Sequence, residues 1–360
     1  MCQNTADYRQ LFLDDTPLMD VRAPVEFARG AFPQARNLPL LDDRQRELVG
    51  TEYRRAGQAA AVALGWKLAT EEVLAQRLAQ WRAFAARHRA AHLYCFRGGL
   101  RSRTAQQLLR QSGIEMPLVK GGYKAMRAFL LQQLEAHCAG LPLVVIGGHT
   151  GSGKTDLIRR AGRALDLEGI AHHRGSSFGR TRHAQPAQID FENRVSIDLL
   201  KLAQGRGPVF VEDESRLIGR CALPPVLQQA MAAAPRVLVL ESVEKRARRI
   251  VRDYVADALE RFADADQGPE LALGEELRES LGRIRKRLGD LRHRQLDAQL
   301  QDANRELREN GTTEAFIPLV MALLTDYYDG AYDYLMQKRP GEILFRGDFD
   351  EVAQWLVTGS

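Results

Sequence analysis

Apolar and polar positions along the first 140 residues follow two periods in turn. Short apolar runs, PLMDV at 17–21, HLYCF at 92–96 and MPLVK at 116–120, are each followed by a stretch with helical spacing, PVEFARG, RSRTAQQLLRQSG and GGYKAMRAFLLQQLEAHC. Strands followed by helices at this interval predict a small sheet of parallel character covered by helices. After Arg101, the apolar Ala105, Leu108 and Leu109 oppose a polar face of Arg103, Gln106, Gln107 and Arg110, so the preceding strand ends at Cys95.

From Gly140 the pattern restarts. LPLVVIGG at 141–148 reads as a buried strand, HTGSGKT as a glycine-rich turn and the residues after it as a helix. GPVFVED at 207–213 and RVLVLES at 236–242 are two further strands, with a helix over QIDFENRVSIDLLKLA before them. Beyond residue 243 the chain is charged and helical in character. The expected organisation is therefore an α/β domain over 1–139, a second α/β domain of P-loop type over 140–242 and a helical region over 243–360 packed on it.

Composition narrows the class. With 45% hydrophobic and 27% charged residues in 360, the chain is ordinary globular material. The longest apolar run, Leu141–Gly148, is far short of the roughly 20 residues that cross a bilayer. No secretory signal is read at the N-terminus, and the expected location is the cytoplasm. The excess of 51 Lys and Arg over 46 Asp and Glu, a formal charge of +5, permits an anionic partner without requiring one. Cys2, Cys95, Cys138 and Cys221 form no C-x-x-C pair, which speaks against a zinc ribbon or a disulfide framework.

Two segments carry chemistry. In YCFRGGLRSRTA, backbone N–H groups between Cys95 and Arg101 can converge, Gly98 and Gly99 permit a tight curve, and a helix opens at Arg101 and Ser102. Such a loop holds an anion over a thiol, and with Arg97 and Arg101 it favours the thiolate, the reactive form. The other cysteines have no comparable surroundings and read as inert. The second segment is Gly148-His149-Thr150-Gly151-Ser152-Gly153-Lys154-Thr155, a full G-x-x-x-x-G-K-[ST] match between a strand and a helix. Its amides wrap a diphosphate, Lys154 neutralises it and Thr155 is the candidate ligand for Mg2+. Asp213, flanked by Glu212 and Glu214, is the candidate Walker-B-like carboxylate. No residue stands out to orient an attacking water, so the loop is compatible with nucleotide hydrolysis or with holding another diphosphate.

The loop HHRGSSFGRTRHAQPAQ, with Arg174, Arg180 and Arg182, and the basic stretch containing Arg246 and Arg249 are candidate RNA contacts, as is a second stretch from Arg283 to Arg294. For the two stretches, interspersed acids make a salt-bridged helix face the competing reading, and for the loop the competing reading is a solvated flexible segment. Tyr327, Tyr328, Tyr332 and Tyr334 recur at helical spacing and read as packing. Adjacent His172 and His173 make a poor metal pair, and apart from Mg2+ no metal is expected.

The segment LMDVRAPVEFARGAFPQARNLPL, with Asp20, Arg22, Glu26, Phe27, Gly30, Ala35, Asn37 and Pro39, resembles the N-terminal signature of the rhodanese family, and Cys95 with GGYKAMR completes the match. That resemblance implies a persulfide or perselenide carried on Cys95. The ring Cys95 to Arg101 is C-x5-R, one residue longer than in sulfur-carrying rhodaneses and similar to rhodanese-like phosphatases, so a phosphate bearing the chalcogen, such as selenophosphate, is an expected donor and a phosphatase is the alternative. A rhodanese-like domain followed by a P-loop domain, together with DLEGIAHHRGSSFG, QPAQIDFEN and VEDESRLIG, is similar to the tRNA 2-selenouridine synthase family over nearly the whole chain. The resemblance implies replacement of sulfur by selenium in wobble 2-thiouridine of tRNA, with selenophosphate and geranyl diphosphate as substrates, an S-geranylated intermediate and a selenophosphate-supplying enzyme as partner. Arg97, Gly98, Gly99, Arg101 and Ser102 would hold the phosphate end of the donor. A P-loop RNA-binding protein with a regulatory rhodanese-like domain is the second alternative.

Overall fold

A computed structural model describes residues 4–181, 183–337 and 341–358. The chain divides into two compact units: the residues up to Ala136 with Ala187–Lys201, and His137–Pro186 with the chain from Leu202 on.

The first unit is built on three short parallel strands, β1 (Leu18–Asp20), β2 (Ala35–Asn37) and β3 (His92–Tyr94), in the order β2-β1-β3. All three residues of β1 are buried, as expected of a central parallel strand covered on both faces. The expected strand at 116–120 is reduced to isolated bridges, Leu93 with Leu118 and Thr5 with Val119. Between β2 and β3 lie two long helical stretches that the hydrophobic pattern did not resolve, Asp43–Leu68 and Glu71–Arg87; the first is broken by a kink at Gly57, where φ is 81°. Trp81 of the second is fully buried and its indole N–H donates to the Leu38 carbonyl at 3.0 Å.

One helix changes the expected domain organisation. Gln188–Leu202, placed by sequence order in the P-loop domain, belongs to the first unit up to Lys201. Ile197 and Leu200 enter an apolar core with Leu11, Phe12 and Leu130. Polar contacts fix the helix along its length: the Ala31 N–H donates to Asp190 at 2.6 Å, Asn193 donates to the Ala31 carbonyl at 2.7 Å, and the Ser196 hydroxyl donates to the Leu130 carbonyl at 2.5 Å. Arg127 holds both Asn193 and Glu192.

The second unit contains β4 (Leu143–Gly148), β5 (Ala164–Leu165), β6 (Val209–Glu212), a small hairpin of β7 (Leu217–Ile218) and β8 (Cys221–Ala222), β9 (Arg236–Val239) and β10 (Ile343–Gly347). Five of these form a parallel sheet in the order β10-β9-β4-β6-β5. Every residue of β4 is buried, as its central place requires. The region after 243 is helical as expected except at its end: β10 joins the sheet beside β9, and the helix Phe349–Thr358 packs Phe349, Val352 and Leu356 against Leu157, Ile158 and Phe210. A separate apolar core joins the helices Val243–Val251, Pro269–Arg283, Asp290–Asn310 and Phe316–Leu323.

Candidate functional site

In the first unit, β3 delivers Cys95 to the C-terminal end of the sheet, and the helix Leu100–Gln111 starts five residues later. The thiol is buried and donates to the Ser102 hydroxyl at 3.2 Å, which donates in turn to the Gly99 carbonyl at 3.0 Å. The loop is clamped from the other side by the GGYK turn: the N–H groups of Tyr123 and Lys124 donate to the carbonyls of Cys95 and Phe96, each at 2.9 Å. A side chain at Gly122, where φ is 60°, would place a Cβ 2.2 Å from the Cys95 carbonyl oxygen. Only glycine permits this approach.

Arg101 stands in the first turn of the helix and donates to both Glu26 oxygens, at 2.5 and 3.1 Å. Burial opposes its charge, but Glu26 and, more weakly, Cys95 raise its pKa above the ordinary value. Glu26 is lowered in return: burial pushes the other way but Arg101 outweighs it. Arg97 is exposed, its guanidinium 6.0 Å from the Phe96 ring. The arrangement places a thiol, a hydroxyl and a cation around one glycine-bearing turn, a geometry able to hold a tetrahedral anion. By contrast, burial pushes the Cys138 thiol up to about 11 and raises that of Cys221, in agreement with their reading as inert; Cys2 lies outside the described residues.

In the second unit, the loop after β4 turns through Gly151 and Gly153, with φ of 82° and 94°, into the helix Lys154–Arg160. A Cβ on Gly153 would meet the Phe349 ring at 2.8 Å as well as the backbone strain. The Lys154 ammonium donates to the carbonyls of Gly148 at 2.7 Å and His149 at 3.3 Å and is held within the loop. Burial depresses its pKa, and Glu214, Glu168 and Glu212 oppose that shift. Around it opens a cleft of about 860 Å3, lined also by His172, His173 and Arg174 of the long basic loop.

The carboxylates differ from expectation. Asp213, the expected Walker-B-like residue, lines this cleft and is at the same time ion-paired with Arg236 at 3.3 Å, both side chains being buried. Glu168, which sequence reasoning missed, accepts from the Thr155 hydroxyl at 2.8 Å. Glu214 faces Glu168 closely enough to share a hydrogen bond, and Glu212 accepts from the Glu168 N–H at 3.0 Å. The nearest sequence signal was the DLEG block itself, which does not say where its carboxylate points. The Thr155 and Glu168 oxygens are hard donors of the kind that would hold Mg2+; among the described residues no group of three His, Cys, Asp or Glu is arranged to hold a metal by itself.

Crowding of these carboxyls has a pH signature. Burial and Glu168 push Glu214 up to about 8, and burial raises Glu168 and Glu212 as well. A carboxyl whose folded pKa exceeds its unfolded value makes the folded state bind the extra proton, so stability falls as pH rises from the unfolded to the folded pKa. The thermal midpoint of this unit should decline between about pH 5 and pH 8. Glu214→Gln, which stays neutral, should flatten that decline; an unchanged pH profile in differential scanning calorimetry would show that Glu214 is not the group responsible.

The arginines separate into two groups. Arg246 is buried, pairs with both oxygens of Asp329 at 2.8 and 2.7 Å and donates to the Thr150 carbonyl at 3.2 Å. Arg249 donates to the Gly151 carbonyl at 2.8 Å and lies 4.9 Å from the Phe349 ring centre. Arg246 is buried against the P-loop, which corrects its assignment as an RNA contact, while Arg249 braces the same loop and also lines the cleft. Arg174 lies 5.1 Å from the Tyr254 ring centre, near Asp253 at 3.7 Å, and Arg180 is exposed and pairs with Glu279 at 3.2 Å. Arg182 lies outside the described residues. Much of the Arg283–Arg294 stretch is acid-paired, as in Arg285 with Asp290 and Arg292 with Asp326. Tyr332 is more than packing: its hydroxyl accepts from the Gly148 N–H at 2.5 Å and donates to Asp213 at 3.4 Å.

The family model for the tRNA 2-selenouridine synthase AAA domain matches residues 141–360. Proteins named tRNA 2-selenouridine synthase from Alcanivorax borkumensis and Marinobacter nauticus are 48% and 47% identical to this chain, covering 99% and 98% of it and 99% and 97% of themselves. The chain belongs to the tRNA 2-selenouridine synthase family. Another protein of that name, from Bordetella petrii, is 48% identical over 99% of this chain and 96% of its own length. Similarity to other family members thus extends over the Cys95 loop as well as the P-loop unit. Among solved structures, the N-terminal domain of a Clostridium difficile 630 protein described as ATP/GTP binding aligns with 32% of this chain and 90% of itself at 31% identity, with a TM-score of 0.31. Among the described residues of this family member, no helix is long and apolar enough to cross a membrane.

Proposed function

We propose that this chain replaces sulfur by selenium at C2 of wobble 2-thiouridine in tRNA, taking selenium from selenophosphate and passing through an S-geranylated nucleoside made from geranyl diphosphate. The observation that carries the reading is the presence in one chain, similar over its full length to proteins named tRNA 2-selenouridine synthase, of a thiol within an anion loop and a complete diphosphate cradle. The first unit is read as rhodanese-like. Its Cys95 is the selenium-handling group, with Arg97, Gly98, Gly99, Arg101 and Ser102 around the phosphate end of the donor.

The chemical order has a physical reason. A thiocarbonyl sulfur is a poor leaving group; S-alkylation by the prenyl diphosphate, with release of pyrophosphate, turns it into a thioether at C2, from which a selenium nucleophile displaces the alkylthiolate. Geranyl transfer needs charge stabilisation on departing pyrophosphate, which the P-loop amides and Lys154 supply, assisted by Mg2+ at Thr155 and Glu168 when bound. Basic faces, Arg180 among them, are read as contributing to tRNA affinity, and a selenophosphate-supplying enzyme is the expected partner.

The test incubates the protein with thiolated tRNA, geranyl diphosphate and selenophosphate and reads nucleosides by mass spectrometry. Geranylated and selenated products are both expected with the wild type. Lys154→Ala should lower both by about 100-fold, the scale of losing one charge-stabilising donor. Intact geranyl transfer in Lys154→Ala, alongside loss of an ATPase activity, would overturn the role given to the P-loop. An unmodified nucleoside with the wild type would remove the synthase reading and favour a phosphatase acting through Cys95.

A further inference from the structure

The two segments that build and clamp the thiol loop carry cations and no acid. Residues 95–114 contain Arg97, Arg101, Arg103 and Arg110, residues 116–134 contain Lys120, Lys124 and Arg127, and neither stretch has an Asp or Glu. Three of these cations are committed: Arg101 to Glu26, Arg110 to Glu115 and Arg127 to Glu192. The other four, Arg97, Arg103, Lys120 and Lys124, are exposed, and among the described residues no acid pairs with them. The helices beyond residue 243 differ, since there Arg248, Arg278 and Arg292 are matched by Glu244, Asp297 and Asp326. A face neutralised in that way offers a polyanion little net charge, whereas unpaired charges of one sign around an opening focus a positive potential.

The fold gathers the four free cations at one place. Gly98 packs so closely on the turn after Val119 that a Cβ there would stand 2.8 Å from the Gly121 nitrogen and 3.2 Å from the Val119 carbonyl oxygen. Arg97 immediately precedes that contact and Lys120 lies in the turn. The Lys124 N–H donates to the Phe96 carbonyl at 2.9 Å, and the Arg103 N–H donates to the Gly99 carbonyl at 3.2 Å. Each cation therefore springs from backbone that belongs to the Cys95 loop or touches it, and together they form its rim.

A small anion needs one convergent cradle, which the loop and Arg101 already provide. Cations spread along the outside of that cradle match a chain of anions, and RNA carries one phosphate per nucleotide. Lysines and arginines on separate backbone segments, with no Asn or Gln set beside them to read base edges, suit positioning of the backbone more than recognition of sequence. We propose that Arg97, Arg103, Lys120 and Lys124 form an RNA-docking rim on the first unit, gripping phosphates on either side of the nucleotide whose base enters the Cys95 loop. Single-stranded loops, whose bases can be splayed out, are the RNA elements such a rim fits. The inference rests on the reading of Cys95 as acting on a tRNA nucleoside, and it places RNA contacts on a different face from the basic stretches of the second unit.

Arg97 also belongs to the donor loop, so the test uses the full chain with Arg103→Gln, Lys120→Gln and Lys124→Gln combined. Fluorescence anisotropy with a labelled anticodon stem-loop RNA, with no selenium or prenyl donor present, measures affinity across a series of KCl concentrations. Three lost phosphate contacts should lower the slope of log affinity against log salt by about 2, at roughly 0.7 per contact with single-stranded RNA. Affinity near physiological salt should fall by roughly 10- to 100-fold, and in the selenation reaction the loss should appear in KM for tRNA more than in kcat. The side chains are exposed and unpaired, so the thermal midpoint should hardly move. Lys120→Arg with Lys124→Arg, which keeps the charges, should keep the slope. Unchanged affinity and slope in the glutamine variant would overturn the proposal and leave the rim to an acidic protein surface; a fall in affinity without a change in slope would overturn it too, because the contacts would not be ionic. If the wild type forms no selenated nucleoside while the glutamine variant loses the slope, the synthase reading falls and the rim stands. If the wild type is active and the slope is unchanged, the rim falls alone.

Discussion

Cys95→Ser is expected to stop selenouridine formation, by about a thousandfold or more, while the geranylated nucleoside accumulates in its place. Serine keeps the shape of the side chain and its hydrogen-bonding ability. The buried pocket and the 3.2 Å contact with Ser102 are therefore retained, and the thermal midpoint should hardly change. The chemistry changes far more than the packing, since a hydroxyl is not deprotonated by the influences that yield a thiolate and oxygen is a weaker nucleophile toward selenium donors. Loss of a covalent nucleophile commonly costs at least this much in rate. Because geranylation is assigned to the P-loop, it should continue in the variant. Nucleoside mass spectrometry of the reaction with selenophosphate decides the matter: selenouridine at the wild-type rate would remove Cys95 from the reaction, and loss of both products would mean that the two steps are not separable by residue.

The second large effect is on stability. Asp20 and Arg22, at the end of β1, are both buried, and Arg22 donates to the Asp20 carboxylate through Nε and through a terminal nitrogen at 2.6 Å. The same guanidinium donates to the Gly30 carbonyl at 2.8 Å and lies 3.9 Å from the centre of the Tyr123 ring. Burial alone would lower the pKa of Arg22, but Asp20 raises it, so the cation is kept by its partner. Asp20→Ala leaves that charge inside the core without compensation, which typically costs about 3–5 kcal/mol. Denaturant unfolding of the variant should show the first unit losing stability on that scale. Asp20→Ala combined with Arg22→Met should recover much of it, since an apolar pair of similar volume removes the stranded charge. A loss below about 1 kcal/mol for Asp20→Ala would show that the pair is not what holds this end of the sheet.

Asp20 and Arg22 were read in the sequence as marks of a family resemblance, and Glu26 likewise. In the structure they are the supports of the thiol loop: Glu26 fixes Arg101, Arg22 bridges Asp20 to the turn at Gly30, and Asn37 ties β2 to the carbonyls of Asp20 and Arg22 at 3.1 and 2.8 Å. Their roles needed distances, although their identities did not.

The Cys95 loop and the P-loop were legible because each is a contiguous strand, glycine-bearing turn and helix, and the local backbone determines which groups converge. The same locality explains the strands β4, β6 and β9, whose apolar runs stand out between polar flanks. The strand β10 did not stand out, because it lies at the sheet edge with an alternating, half-exposed pattern and its pairing with β9 joins residues about a hundred positions apart. The basic stretch containing Arg246 and Arg249 shows why composition misleads. Charge counted along a helix is the same whether the side chain meets solvent or turns inward, and only the fold brings Asp329 and the Gly151 carbonyl to them.

The sequence by itself determined the two glycine-bearing strand–turn–helix loops, the thiol at one of them and the α/β character of the chain, since these depend on neighbours a few residues apart. Tertiary structure decided that Glu168 meets Thr155 while Asp213 pairs with Arg236, that the Gln188–Leu202 helix serves the first unit up to Lys201, and that an apolar cavity adjoins the P-loop cleft. Each of these is a contact between distant segments, and its energy depends on burial and partner geometry, which come into existence only when the core closes.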